Sequence, residues 1–316
     1  MTASPNDANR KRLFRVLRVV VTVALLYWVL RQVSPRQVVD TLGGANLRLL
    51  GLALVLFQGG IVLRAARWWV LLRGSGVHAS PRQVLELQYI SQFFNVSLPT
   101  GFAGDVVRTV ELESGDSKAG TAGIVVLDRT LGFSTLFGIA LISLALGHRL
   151  LDDPNTTRVL TAVSLGGLAA VVVVLQGNLV RRLTRFLPQS LSLEGDGILA
   201  RLYGALTGCS RSYLVIATAV SALSTVLTIV VHYLIGRSVG IEVGIGVFFI
   251  VTPIVSISLL VPTIGGLGLV AGYQVVLPAL GVPGGVAVAL GFGVYIARLS
   301  AGVLGGLYNL LWSSRR

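Results

Sequence analysis

The sequence predicts an all-α membrane protein with six spanning helices and two re-entrant broken-helix hairpins in an inverted-topology repeat. Three observations predict it. Of 316 residues, 53% are hydrophobic and 12% charged, with a mean hydropathy of +0.81, whereas soluble domains carry roughly 25% charged residues. Apolar runs near the ~20 residues needed to cross a bilayer recur along the chain. Two shorter apolar runs end in Pro-Thr followed by glycines, at Pro99-Thr100-Gly101 and Pro262-Thr263-Ile264-Gly265. A broken helix at membrane depth is tolerated only where its freed backbone groups face protein or a wet cavity. Gly/Pro-interrupted short segments in corresponding places of two halves point to a transporter's midplane site.

Residues 1–12 are polar and predict a disordered cytoplasmic N-terminus. Leu13–Leu30 follows Arg10-Lys11-Arg12 and has no small-residue cleavage site, so it is an anchor helix rather than a removed signal. Its basic flank places the N-terminus in the cytoplasm, and Tyr27 and Trp28 mark the far interface. Ser34-Pro35 opens a short amphipathic segment to Gly44. Leu47–Leu72 returns and ends among Arg64, Arg67, Trp68, Trp69 and Arg73. Pro81 to Leu98 is short, punctuated by Glu86, Gln88, Gln92 and Asn95, and meets the first break. Val106 to Glu113 is too polar to complete a crossing, which favours a hairpin entering from the cytoplasm. Ala119–Leu146 crosses outward, and Val159–Leu175 returns to Arg181, Arg182 and Arg185.

Residues 187–211 read as a cytoplasmic amphipathic segment separating a first membrane repeat with its linker span (13–186) from a second (212–316). In the second, Tyr213–Ile235 crosses outward and Ile245–Leu260 runs into the second break. Leu269–Leu280 follows, and Val286–Trp312 ends at Arg315-Arg316. The expected location is the inner (plasma) membrane, multi-pass, with both termini cytoplasmic.

The net charge of +13 comes largely from arginines at the ends of apolar runs. There they set topology and meet anionic lipid. No basic soluble module exists to hold nucleic acid. Cys209 is the single cysteine, and no Cys/His spacing suits zinc. No Ser–His–acid set or P-loop appears. The expectation is a transporter with no cofactor and no metal. Two other readings stay open. Asp152-Asp153, in a loop before Pro154, could hold a metal in a glycosyltransferase acting on polyprenyl phosphate, or could be a solvated loop. A membrane scaffold would tolerate neutralising Arg129.

A charge inside the bilayer costs about 2.5–3.5 kcal/mol per Arg or Asp on the insertion scale. Arg129 lies roughly 10–15 Å and Arg298 roughly 20 Å into their spans, at about 1.5 Å per residue. Such arginines need a partner, either an anionic substrate or a structural ion pair. Asp128 can offset a positive charge, although adjacent helix residues point in different directions. Arg64 and Arg67 share a helical face at i,i+3 and either line the cavity or are ordinary topology charges. Asp105 and Arg108, again i,i+3, open the helix after the first break. Asp105 also suits a helix start as a cap, while a guanidinium binds phosphate bidentately. Gly104 belongs to the same break. Gly265, Gly266 and Gly268 either expose N–H groups to an anion or let helices pack closely. Gly302, Gly305 and Gly306 read as packing, and His78, His148 and His232 as isolated interfacial or core residues.

Together, Leu63-Arg64-Ala65-Ala66-Arg67-Trp68, Asn95 through Pro99-Thr100-Gly101-Phe102-Ala103-Gly104-Asp105 to Arg108, Leu127-Asp128-Arg129, Pro262 to Gly268, and Arg298 resemble the lysylphosphatidylglycerol-synthase transmembrane family. These are flippase-like membrane domains also found in multiple-peptide-resistance proteins. The resemblance covers nearly the whole chain. It implies translocation of an anionic phospholipid or a lipid-linked phosphate precursor between leaflets, with Arg108, Arg129 and Arg298 holding the phosphate and Arg64 and Arg67 attracting it. A further membrane-protein partner or a homo-oligomer stays open. Family members often carry an Arg-Glu pair after the second Gly-Gly-Leu-Gly. Here Val270-Ala271 stands there, which moves charge recognition onto Arg129, Arg298 and the first half.

Overall fold

A computed structural model describes residues 35–97, 103–112, 118–147, 154–176, 203–204, 207–260, 263 and 267–313. The described regular structure is helical throughout. The helices are α1 (Pro35–Gly43), α2 (Leu47–Gly74), α3 (Pro81–Ser97), α4 (Ala103–Glu111), α5 (Lys118–Leu146), α6 (Pro154–Leu175), α7 (Arg211–Ser238), α8 (Ile245–Val255), α9 (Gly268–Val276) and α10 (Gly284–Ser313). A 3₁₀ segment, Ser256–Leu260, continues α8, and another, Pro278–Leu280, follows α9. The protein is an all-α membrane protein. Among the described residues, four helices are long and apolar enough to cross a bilayer: Leu47–Gly74, Gly120–Leu146, Arg211–Ser238 and Gly284–Leu310. In α6 the apolar stretch is the shorter Thr157–Val173. The expected first span Leu13–Leu30, most of the 187–211 segment and both chain ends lie outside the described residues.

Local chemistry fixes the ends of the central pair, α2 and α7. The Asn46 side chain caps α2 by accepting from the N–H groups of Arg48 (3.1 Å) and Leu49 (3.3 Å). At the other end Val77 N–H donates to the Leu72 carbonyl (2.9 Å) and Gly76 N–H to that of Arg73 (3.1 Å). This 6→1 and 5→2 pattern puts Gly76 in the left-handed region, at φ 78°. The end of α7 repeats it: Ile241 donates to Gly236 (2.9 Å), Gly240 to Arg237 (3.3 Å), and Gly240 has φ 88°. Adding 164 to each residue number converts the first set of bonds into the second. The bonds joining the two helices obey the same offset. Asn46 N–H donates to the Ser238 carbonyl at one end, and Ser210 N–H to the Gly74 carbonyl at the other. These cross-links make α2 and α7 antiparallel, and both helices have 28 residues.

Everything else is arranged about that pair. The packing partners are unchanged when α2 exchanges with α7, α3 with α8, α4 with α9 and α5 with α10. Thus α3 lies on α10 as α8 lies on α5, and α4 lies on α5 as α9 lies on α10. Each break is flanked by a longer arm and a 9-residue arm, α4 or α9. The long arms are α3, about 26 Å, and α8 with its 3₁₀ extension, also about 26 Å, at 1.5 and 2.0 Å per residue. Neither short arm, at about 14 Å, crosses a ~30 Å hydrocarbon core. Pro253 inside α8 has no N–H for the Phe249 carbonyl, and the helix tightens to 3₁₀ three residues later.

The expected packing role of the last-span glycines holds. A Cβ on Gly305 would sit 2.0 Å from the Tyr89 carbonyl oxygen, and one on Gly306 3.2 Å from the Phe93 ring. Helix α3 therefore lies directly on the backbone of α10. Gly305→Leu is expected to lower the thermal unfolding midpoint and the monodisperse fraction in detergent, as overpacking costs of order 1–3 kcal/mol or more. Gly166→Leu, at a position where a Cβ meets nothing within 4 Å, is expected to leave both unchanged.

Candidate functional site

The long arm α3, the short arm α4 and the 3₁₀ extension of α8, with Thr263 and helices α2, α5, α7 and α10, line a cavity of about 280 Å³. Arg64, Arg67, Arg108, Arg129 and Arg298 all line it, as do Asp105 and Asp128. Five guanidinium groups thus face two carboxylates, a formal excess of three positive charges. The alternative for Arg64 and Arg67, ordinary charges at a helix end, does not describe them: both face this cavity, and Arg67 is buried.

The two acids organise three of the arginines. Asp128, on α5, accepts from Arg67 Nε (2.6 Å) and Arg108 Nη1 (3.3 Å). Arg67 Nη1 also donates to Ser221 Oγ (2.9 Å), and Arg108 Nη1 to Gln88 Oε1 (3.2 Å). Asp105, in the first turn of α4, accepts from Arg108 Nη2 and from Arg129 Nε. The Arg108 guanidinium also lies 4.9 Å over the fully buried Trp68 ring. Asp105 is therefore more than a helix cap. Arg129 does not stand uncompensated: the turn after the first break brings Asp105 to it from another helix, while Asp128 faces away toward Arg67 and Arg108. Adjacent residues on one helix point about 100° apart, so Asp128 and Arg129 serve different partners.

Arg64 and Arg298 differ from the other three. Neither makes an ion pair among the described residues, and each, like Arg108, has a buried Nε without a hydrogen-bond partner there. The Arg64 guanidinium lies 5.7 Å from the Phe57 ring. A buried donor left unsatisfied costs about 1–3 kcal/mol, more when charged, so these two groups are unmatched within the described protein.

Two stripes of neutral polar side chains complete the walls. Gln88, Ser91, Gln92 and Asn95 on α3 and Ser221, Ser224, Thr225 and Thr228 on α7 each follow i, i+3, i+4, i+7 spacing. All of them line the cavity except Ser221, which holds Arg67 from behind. Gln88, Gln92 and Asn95 had a sequence signal in the punctuation of α3. The α7 hydroxyls were overlooked, although the spacing alone puts them on one face of an apolar span. Gly104 sits where α4 folds onto α3. Its N–H donates to Asn95 Oδ1 (2.9 Å), and a Cβ would come 2.4 Å from the Ser91 carbonyl oxygen. Gly268 plays the matching part: its N–H donates to Thr263 Oγ1 (3.0 Å), and a Cβ would lie 2.4 Å from the Ser258 carbonyl oxygen. Close approach, not anion binding, accounts for Gly268. Pro99, Gly101, Pro262, Gly265 and Gly266 lie outside the described residues, as do Asp152 and Asp153. His232 is a core residue, its Nδ1 2.7 Å from the Tyr273 hydroxyl. His78 is exposed and His148 lies outside the described residues.

Fold and site together define a multi-span helical membrane protein with an arginine-rich cavity at the meeting point of two broken-helix hairpins. The chain belongs to the family described as the lysylphosphatidylglycerol synthase TM region, whose model matches residues 15–306. No curated protein matches it.

The network separates structural from unmatched charge. Removing one partner of a buried pair costs roughly 3–5 kcal/mol. Asp128→Asn is therefore expected to lower the unfolding midpoint markedly, with partial recovery in the double variant Arg67→Gln/Asp128→Asn. Arg298→Gln is expected to leave the midpoint unchanged or raised. Equal losses in the Asp128 and Arg298 variants, measured by thermal unfolding in one detergent, would contradict this division.

Proposed function

We propose that this chain is a flippase-like transporter moving an anionic phospholipid or a lipid-linked phosphate between membrane leaflets, without an enzymatic step of its own. The observation that carries the reading is the excess of guanidinium over carboxylate in one cavity, with Arg64 and Arg298 unmatched. A phosphate supplies the missing charge and acceptors, and a guanidinium takes it bidentately. A cavity of about 280 Å³ is at the low end for small-molecule sites. It has room for a headgroup and not for two acyl chains.

In this reading Arg64 and Arg298 bind the phosphate first. Arg129, with a side chain 31% exposed, joins them by loosening from Asp105. Arg67 and Arg108 hold the frame through Asp128. The offset of 164 residues, the antiparallel α2–α7 pair and the reciprocal packing support an inverted-topology repeat, with a first membrane repeat and linker span over 13–186, a cytoplasmic segment over 187–211 and a second repeat over 212–316. The hairpins then enter from opposite faces, as alternating access about a midplane site requires. The positive-inside pattern favours the inner (plasma) membrane with both termini cytoplasmic.

The test is reconstitution into phosphatidylcholine vesicles containing a trace of phosphatidylglycerol labelled on its acyl chain, with quencher added outside. Arg64→Gln and Arg298→Gln are each expected to slow translocation at least tenfold, with partial recovery in Arg298→Lys. Wild-type rates in both Gln variants would refute the reading.

A further inference from the structure

The cavity holds a headgroup and leaves the acyl chains unplaced. Two grooves lined almost entirely by apolar side chains lie outside it, of about 350 and 380 Å³. The first is formed by Thr130, Phe133 and Phe137 of α5, Val163 and Gly167 of α6, and Ile257 in the 3₁₀ extension of α8. Phe133 also lines the arginine cavity, so one ring is the common wall of the charged and apolar spaces. Phe133 and Phe137 stack, centroids 6.2 Å apart and planes 20° apart. Gly167 lets the Phe137 ring lie against α6, since a Cβ there would be 2.3 Å from Cζ.

The second groove lies between α3 and α10. It is lined on α10 by Leu299, Gly302 and Gly306 among others, and on α3 by Phe93 and Val96. From Arg129, Thr130, Phe133 and Phe137 stand at +1, +4 and +8, and three of the seven α10 groove residues, Leu299, Gly302 and Gly306, stand at the same steps from Arg298. At about 100° per residue these positions fall within roughly 60° of one another and rise ~12 Å along the helix. Helices α5 and α10 therefore each carry a cavity arginine and, beside it, residues lining an apolar groove.

The geometry points to the α5–α6 groove as the seat of an acyl chain belonging to the lipid whose anionic headgroup occupies the arginine cavity, with the α3–α10 groove as its counterpart in the other half. This rests on the headgroup reading above and adds to it where the lipid's apolar part goes. The occupant follows from the shared wall. A ligand reaching from three surplus positive charges past one phenyl ring into an apolar trough needs an anionic end and a hydrocarbon end. Ala170 and Val163 face the trough from exposed positions on α6, so a larger side chain at either fills it without entering a packed core.

The experiment measures binding of two probes to the full chain in neutral detergent. Glycerol 3-phosphate reports the headgroup cavity, and dioleoyl phosphatidylglycerol reports cavity and groove together. Ala170→Trp and, separately, Val163→Trp are expected to weaken the diacyl probe at least tenfold and to change glycerol 3-phosphate affinity less than twofold. Arg298→Gln is expected to weaken both. Unchanged diacyl affinity in both Trp variants overturns the groove assignment, as does a parallel loss of both probes. A changed oligomeric state with unaltered lipid affinity also overturns it, since the trough is then an interface between copies of this chain. If Arg298→Gln leaves glycerol 3-phosphate binding intact, the headgroup reading fails instead, whatever the Trp variants do.

Discussion

Two carboxylates facing five guanidinium groups at membrane depth form the constraint on which the rest of this structure depends. Asp128 and Asp105 cannot be placed there alone, because an isolated charge in a low-dielectric interior is costly. They are bridged by Arg108, extended by Arg67 and Arg129, and held against Gln88 and Ser221. This network ties α2, α3, α4, α5 and α7 into one unit. The nine-residue helix α4 is fastened to α5 by its two charged side chains, Asp105 and Arg108. Such networks contribute little net stability compared with an apolar core, and they are very sensitive to loss of one member. Their persistence here fits a fixed polar floor for a ligand more than a device for stability.

The fold surrounding that floor is set by short-range chemistry repeated once. A glycine in the left-handed region ends α2 and again ends α7, with the same pair of carbonyls capped, and one backbone bond at each end locks the two helices antiparallel. Beside that pair, the long arms cross over, α3 onto α10 and α8 onto α5, while the short arms α4 and α9 lie on α5 and α10. Small residues permit the contact, as where Gly305 meets the Tyr89 carbonyl and Gly291 meets the Val270 Cα. The cavity is the space left where the arms beside the two breaks meet α2, α5, α7 and α10, with polar stripes on α3 and α7.

Much of this was legible in the sequence. Helix positions followed from apolar runs and their Pro-Gly interruptions, Arg129 and Arg298 followed from asking which charges sat where charge is expensive, Arg108 from its place after the first break, and Arg64 and Arg67 as one of two readings. Partnerships were not legible. Nothing in the order Asp128-Arg129 shows that the acid turns to α2 and α4 while the base turns to the first turn of α4, because that depends on how α4 folds back. The serine and threonine stripe of α7 was visible at 221, 224, 225 and 228, yet hydroxyls in apolar spans commonly bond their own helix, as Thr228 does with the Ser224 carbonyl, so spacing alone did not distinguish a lining from a solvated backbone. The correspondence between the two halves was harder still, because at the fixed offset only scattered identities survive, such as Arg73 with Arg237 and Gly76 with Gly240 at helix ends and Val62 with Val226 and Ile90 with Ile254 within helices.

The same offset exposes where the two halves differ. Asp105 and Arg108 of α4 correspond to Leu269 and Gly272 of α9. The second hairpin thus replaces an ion-paired floor with close packing: a Cβ at Gly272 would lie 2.8 Å from Val255, and Tyr273 is wholly buried beside it. A hairpin held by ion pairs responds to an incoming anion, since a phosphate competes with Asp105 for Arg129 and alters the balance of forces on α4. A hairpin held by van der Waals contact between small residues has no such handle, because its contacts carry no charge for the ligand to displace. In the proposed transport cycle the first hairpin is therefore the element that senses the headgroup, and the second moves only as its packing against α10 allows. In that proposed cycle the ligand-responsive arm belongs to the part of the chain that carries Asp105, Arg108, Asp128 and Arg129.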